Sequence, residues 1–165
     1  MPRGTLEVLL VNAKGLENTD FLGNMDPYVI LFCRTQEQKS SVASGQGSQP
    51  EWNENFVFTI TGEVSELRIK IMDSDSATQD DFVGEVTIPL DPLFMEGSLP
   101  PTSYNVVKDE EYCGEIRVGL TFTPDVRFCF LYIFYSILFT VLKVKLEAKN
   151  VPLKQLERWQ LLLLI

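Results

Sequence analysis

The feature that most constrains the fold is a period-two alternation of apolar and polar residues in short segments before residue 125. Apolar side chains occupy every second position of the runs 56–60, 67–71 and 116–122. Successive side chains of a β-strand point to opposite faces of a sheet, so this period is typical of half-buried strands and not of helices. We therefore expect an all-β domain.

The alternating runs and weaker candidates give about eight short strands. They are 6–10, 28–32, 38–42, 56–60, 67–71, 82–88, 104–107 and 115–122. Four turn-rich stretches separate them, namely 18–27, 44–53, 73–81 and 89–102. This spacing predicts an eight-stranded antiparallel Greek-key sandwich. Such a fold gathers its loops at two ends, so residues far apart in sequence meet there.

Charge divides the chain into two parts. Lys and Arg number 14 against 23 Asp and Glu, and residues 1–124 alone carry a net charge of −12, leaving +3 for residues 125–165. The acidic first part argues against nucleic acid as a partner, because phosphate binding needs clustered basic side chains. Histidine is absent, which excludes serine–histidine catalysis and histidine-containing metal sites. We predict two domains, 1–124 and 125–165.

The second part is an apolar and basic C-terminal extension. Its segment 128–142 holds 15 uncharged residues, slightly fewer than the roughly 20 that a spanning helix needs. If it spans, Lys143, Lys145 and Lys149 favour a cytosolic C-terminus, which would place the acidic domain on the far side of the membrane. A membrane anchor and an atypical chain end both remain open.

The three cysteines, Cys33, Cys113 and Cys129, contain no close pair. They fit neither a disulfide framework nor a zinc site, and no secretion signal opens the chain. We expect free thiols in a reducing compartment and a cytoplasmic protein.

Two clusters of aspartates carry the functional information. Each lies in a predicted loop directly beside a strand, and neither loop contains Lys or Arg. The clusters are Asp20 with Asp26, and Asp73 with Asp75, Asp80 and Asp81. If both loops share one end of the sandwich, at least five carboxylates converge there.

Convergent carboxylates need a counter-charge. Like charges about 4 Å apart repel by about 1 kcal/mol in water and by about 4 kcal/mol at a partly screened protein surface. Calcium accepts six to eight oxygen ligands in a tolerant geometry, so these loops suit Ca²⁺ first. Magnesium, which requires a stricter octahedral geometry, is the second candidate ion. Zinc prefers nitrogen or sulfur ligands.

The spacing of these aspartates resembles the calcium-binding loops of C2 domains. The two patterns are Asp-x5-Asp-Pro-Tyr from Asp20 and Asp-x-Asp-x5-Asp-x-x-Gly-Glu from Asp73. The stretch 50–58 is similar to that family's Pro-x-Trp-Asn-Glu-x-Phe-x-Phe motif. The likeness covers about residues 4–123. With a first strand at Leu6 and a closing strand at 115–122, it implies the type II topology. Through the stretches 20–23 and 39–42, the chain also resembles small single-domain plant proteins called elicitor-responsive.

The resemblance implies a set of calcium ligands. The side chains are Asp20, Asp26, Asp73, Asp75 and Asp81, all present as aspartate. It also implies auxiliary contacts from the backbone carbonyls of Ser74 and Gln79 and the hydroxyl of Thr78. Two or three ions are expected. Asp80 falls at a position where the family varies, so we interpret it as a charge on the rim.

The function implied is calcium-dependent binding of anionic phospholipid by a monomer recruited from the cytosol to the plasma membrane, in stress or defence signalling. The acidic loops are repelled by an anionic leaflet until calcium reverses their charge. Phe21 and Leu22 lie between the first two aspartates and are the expected insertion residues.

Two other functions compete with this prediction. The first is a constitutively tail-anchored membrane adaptor that uses 128–142. The second is a two-metal hydrolase, which we reject because neither loop supplies a cation to stabilise developing charge.

A phosphoinositide patch is not predicted, because Arg34 and Lys39 are accompanied by Glu37. Trp52 and Asn53 are interpreted as structural.

Overall fold

In a computed structural model of the chain, the structure describes residues 2–18, 24–75 and 79–125. The chain divides into two units, Met1–Pro124 and Asp125–Ile165, and every described strand belongs to the first. The predicted segment 128–142 lies outside the described residues. Within the described ranges, the structure has no helix of the length and apolar character that crossing a bilayer requires.

The described residues form eight β-strands and one helix of six residues. In chain order they are β1 (Arg3–Lys14), β2 (Pro27–Cys33), β3 (Gln36–Lys39), β4 (Glu51–Thr61), β5 (Glu66–Asp73), β6 (Asp81–Pro89), α1 (Asp91–Glu96), β7 (Ser98–Lys108) and β8 (Glu111–Pro124). Strand neighbours run in the order β3-β2-β5-β6-β7-β8-β1-β4. All pairs are antiparallel. The prediction of an eight-stranded antiparallel sandwich is confirmed.

The core follows from the period-two pattern. Leu67, Ile69 and Ile71 of β5 are fully buried, while the residues between them face outward. One apolar cluster continues through the sheet and includes Trp52 and the thiols of Cys33 and Cys113. Both cysteines are free, and burial raises the pKa of each thiol. The expectation of free, packed thiols is confirmed for these two, and Cys129 lies outside the described residues.

Two segments differ from the sequence-based boundaries. The strand expected at 38–42 is β3, which ends at Lys39, because the Ser40 hydroxyl oxygen accepts from the Val29 amide at 2.8 Å and ends the regular ladder. The stretch 89–102, expected as turn, contains α1 and the start of β7. Pro100 and Pro101 enter β7 at an irregularity in its pairing with β8, which is where a strand tolerates proline.

Strand register decides which loops meet. Pro27 at the start of β2 pairs with Asp73 at the end of β5, and Asp73 pairs with Asp81 at the start of β6. The two loops that carry the aspartates therefore leave three neighbouring strands at the same end of the sheet.

Candidate metal centre

The candidate site begins at the end of β5, the central strand of these three. Asp73 is 2% exposed, although its loop neighbours are partly exposed. Its Oδ1 accepts a hydrogen bond of 2.7 Å from the backbone amide of Asp26. The backbone amide of Ser74 in turn donates to the Asp26 carbonyl at 3.1 Å. These bonds join the first and second acidic loops directly.

Asp26 connects the same point to a third loop, residues 40–50. Its Oδ1 accepts from the Gly45 amide at 2.5 Å. The Gly47 amide donates to the Met25 carbonyl at 3.0 Å, and the Ala43 amide donates to the carbonyl of residue 27 at 2.8 Å. The third loop is thus held against the first, next to the carboxylate of Asp26.

Asp80 has partners that the sequence did not indicate. Its Oδ2 accepts from the Tyr28 hydroxyl at 2.7 Å and its Oδ1 accepts from the Asp75 amide at 3.2 Å. The Lys39 ammonium lies 3.4 Å from the centroid of the Tyr28 ring. Burial, reinforced by the Asp80 carboxylate, raises the pKa of Tyr28 to about 12. The hydrogen bond from Tyr28 lowers the pKa of Asp80.

The structure brings together part of the predicted ligand set. Asp26, Asp73 and Asp81 stand at adjacent strand ends, and Asp75 follows two residues after Asp73. Ser74 and Gln79 lie in the same loop. Four predicted residues lie outside the described part of the chain, namely Asp20, Phe21, Leu22 and Thr78.

The donor chemistry at this end fits calcium. The described candidates offer carboxylate and carbonyl oxygens only, and no thiol or imidazole stands in either acidic loop, which matches the preference of Ca²⁺. Among residues 2–18, 24–75 and 79–125, however, no three acidic or thiol side chains form a group that could hold a metal ion. The full ligand set includes Asp20 and so stays a prediction.

Sequence reasoning also missed three cations that lie along β3 and β5, on both sides of β2, with Glu37 and Glu85 paired beside them. Ile30 of β2 pairs with Lys39 on one side and with Lys70 on the other, and Arg68 pairs with Phe32. The three cations come from β3 and β5, the two neighbours of β2, and this arrangement is set by the fold and not by the sequence order. Arg34 and Lys39 considered alone could not reveal this arrangement.

Comparison with known proteins decides the family. The model of the C2 domain family matches residues 4–106. This chain belongs to the C2 domain family. Calcium and membrane binding are typical of C2 domains.

Relatives place this C2 domain among small plant proteins. It is 71% identical over 125 residues to elicitor-responsive protein 3 of Oryza sativa subsp. japonica, and the match covers 76% of this chain and 87% of the relative. Over the same length it is 67% identical to 16 kDa phloem protein 2 of Arabidopsis thaliana, covering 76% and 85%. The predicted likeness to elicitor-responsive proteins is confirmed.

A solved structure agrees with this placement. A C2 domain-containing protein from a putative elicitor-responsive gene has a TM-score of 0.67 and 66% identity, covering 75% of this chain and 91% of that one.

Proposed function

We propose that this C2 domain is a calcium-dependent phospholipid-binding module, recruited from the cytosol to the anionic face of the plasma membrane in stress or defence signalling. The observation that carries the proposal is the placement of Asp26, Asp73 and Asp81 at three adjacent strand ends. The role is binding without catalysis.

The proposed site uses every aspartate of the two loops except Asp80. The carboxylates of Asp20, Asp26, Asp73, Asp75 and Asp81, the carbonyls of Ser74 and Gln79 and the hydroxyl of Thr78 would hold two or three ions. Bound Ca²⁺ supplies positive charge and open coordination positions for lipid oxygens. The hydrogen bonds of Asp26 and Asp73 to backbone amides fix these carboxylates before any ion arrives.

Charge explains why binding would depend on calcium. Both loops are acidic and carry no Lys or Arg, so an anionic leaflet, with a surface potential of about −30 mV, repels them. Neutralising the carboxylates removes that repulsion, which makes the site an electrostatic switch. Phe21 and Leu22 would then enter the interface and add apolar burial. The calcium-bound structure of the tandem C2 domains of extended synaptotagmin 2, 28% identical with a TM-score of 0.64 and covering 74% of this chain and 46% of that one, supports the calcium assignment.

Co-sedimentation with liposomes tests the proposal. The full chain should pellet with vesicles that contain an anionic phospholipid in calcium, and should stay in solution in chelator or with zwitterionic vesicles. The variant Asp73→Asn with Asp75→Asn should lose calcium-dependent pelleting. A matched pair, Glu63→Gln with Glu66→Gln, removes two carboxylates near the start of β5, at the other end of the strand, and should pellet normally.

Equal pelleting of the wild-type chain in calcium and in chelator would contradict the proposal. Pelleting in chelator that also resists alkaline extraction would instead favour the tail anchor. That alternative depends on residues 128–142, which the structure does not describe, and no described residue supports it.

A further inference from the structure

Asp80 lies between the proposed ligands Asp75 and Asp81 in the sequence. Both oxygens of its carboxylate accept hydrogen bonds from other residues of the protein. Its Oδ1 accepts from the backbone amide of Asp75, five residues earlier, at 3.2 Å. Its Oδ2 accepts from the hydroxyl of Tyr28 at 2.7 Å. The first bond closes the base of the loop that follows β5, and the second ties that loop to β2.

The hydrogen-bond donor on β2 is a buried tyrosine. Tyr28 is 4% exposed and lies inside the strand that pairs with β5, so its hydroxyl is fixed by a packed ring. The Lys39 ammonium covers that ring at 3.4 Å from the centroid, a cation–π contact. The Tyr28 hydroxyl is therefore presented to Asp80 by β2 and β3 together.

We infer that Asp80 is a positioning residue, rather than a ligand or a rim charge. Its hydrogen bonds to the Asp75 amide and the Tyr28 hydroxyl, together called the clasp, hold Asp75 and Asp81 in place for calcium. The inference rests on the proposed function. Asp80 acts by restricting the loop, since a loop ordered before binding loses less conformational entropy when the ion arrives. Asp73 has a different bonding pattern, because its Oδ1 accepts from the Asp26 amide and so joins two loops.

Two substitutions at position 80 distinguish the effect of the hydrogen bonds from the effect of the negative charge. In Asp80→Asn the carbonyl oxygen accepts from the Asp75 amide and the side-chain NH2 donates to the Tyr28 oxygen, so both links survive without the charge. Asp80→Ala removes both links. Tyr28→Phe removes one link and keeps the buried ring.

Calorimetric titration of the full chain with CaCl2, in the absence of lipid, tests the inference. We expect Asp80→Ala to weaken calcium binding about tenfold, Tyr28→Phe to weaken it about threefold, and Asp80→Asn to retain affinity within about threefold of wild type. Because both links serve one clasp, Tyr28→Phe should add nothing to Asp80→Ala. Tyr112→Phe, at an exposed tyrosine, and Glu66→Ala, at the start of β5, are the matched controls.

Each outcome decides between the roles. If Asp80→Asn binds as weakly as Asp80→Ala, the charge or direct ligation matters and the clasp is wrong. If Asp80→Ala binds like wild type, the clasp is wrong and the proposed function stands. A folded wild-type chain that binds no calcium overturns the proposed function and the clasp with it. Should Asp80→Ala fail to fold, the contrast between Tyr28→Phe and Tyr112→Phe still decides, since equal affinities overturn the clasp.

Discussion

At the scale of single residues, two aspartates of one loop have different roles because their neighbours differ. Asp73 is buried at a strand end and is bonded to the amide of Asp26. Asp80 is partly exposed and is bonded to a tyrosine hydroxyl and to the amide of Asp75. The same side chain therefore serves as a proposed ligand in one place and as a proposed clasp in the other.

Removing the two apolar side chains between the first two aspartates should separate membrane binding from calcium binding. Phe21→Ala with Leu22→Ala should weaken binding to anionic liposomes in calcium by about ten- to a hundredfold, because burying one such side chain contributes about 1.5–3 kcal/mol and insertion is partial. The calcium affinity without lipid should stay as in wild type. Liposome co-sedimentation and calorimetry measure the two quantities.

The control for this prediction is Val57→Ala with Met95→Ala. These exposed apolar residues, 55% and 84% exposed, lie on β4 and α1, outside the acidic loops. Undiminished liposome binding by the Phe21 and Leu22 variant would show that the loop does not insert.

The acidic loops could be recognised from sequence because their aspartates lie beside predicted strands, and the proposed ligand set follows from the resemblance to C2 domains. The partner of Asp80 could not, since Tyr28 is 52 positions away and only the register of β2 on β5 brings it close. The placement of Lys39 and Lys70 on the two sides of β2 was missed for the same reason. Spacing reports on local geometry, and contacts between strands depend on the fold.

At the scale of elements, the alternation of apolar and polar residues located the strands. It did not predict where a strand ends when a side-chain hydrogen bond sets that end. β3 stops at Lys39 because the Ser40 side chain replaces a ladder contact. β4 contains Asn53 with a φ of 52°, a left-handed residue inside a strand that asparagine tolerates better than most residues. Trp52 is buried, as expected, and Asn53 keeps its structural role within β4 and not in a separate turn.

The two edge strands are joined by side chains. Gln36 of β3 accepts from the Thr59 amide at 3.0 Å and donates to the Thr59 carbonyl at 2.7 Å, and Gln38 donates to the Val57 carbonyl at 2.6 Å. These amides occupy backbone groups of β4 that an exposed edge would offer to another chain.

Gln36→Ala with Gln38→Ala should therefore lower the free energy of unfolding by about 1–2 kcal/mol. It should also speed the exchange of the Thr59 amide hydrogen. Urea denaturation and hydrogen exchange measure these effects, and Glu37→Ala, an exposed residue between the two glutamines, is the control. Unchanged Thr59 exchange would mean that these bonds do not protect the edge.

At the scale of the whole molecule, the acidic loops give one end of the described domain a concentration of carboxylates. Lys39 of β3 and Lys70 and Arg68 of β5 lie on the two sides of β2. Glu37 pairs with Phe32 and Glu85 pairs with Lys70 beside them. Such a distribution orients a protein as it approaches a charged surface. Calcium bound at the acidic end would neutralise the carboxylates there and so weaken this orienting field.

Backbone amide shifts of the full chain, labelled with ¹⁵N and titrated with CaCl2, test the central claim most directly. We predict shifts centred on residues 24–26, 45, 73–75 and 79–81, with the amides of 62–66 at the other end of β5 unchanged. Shifts centred on 62–66, or none at millimolar calcium in a folded protein, would contradict a calcium site at the acidic end.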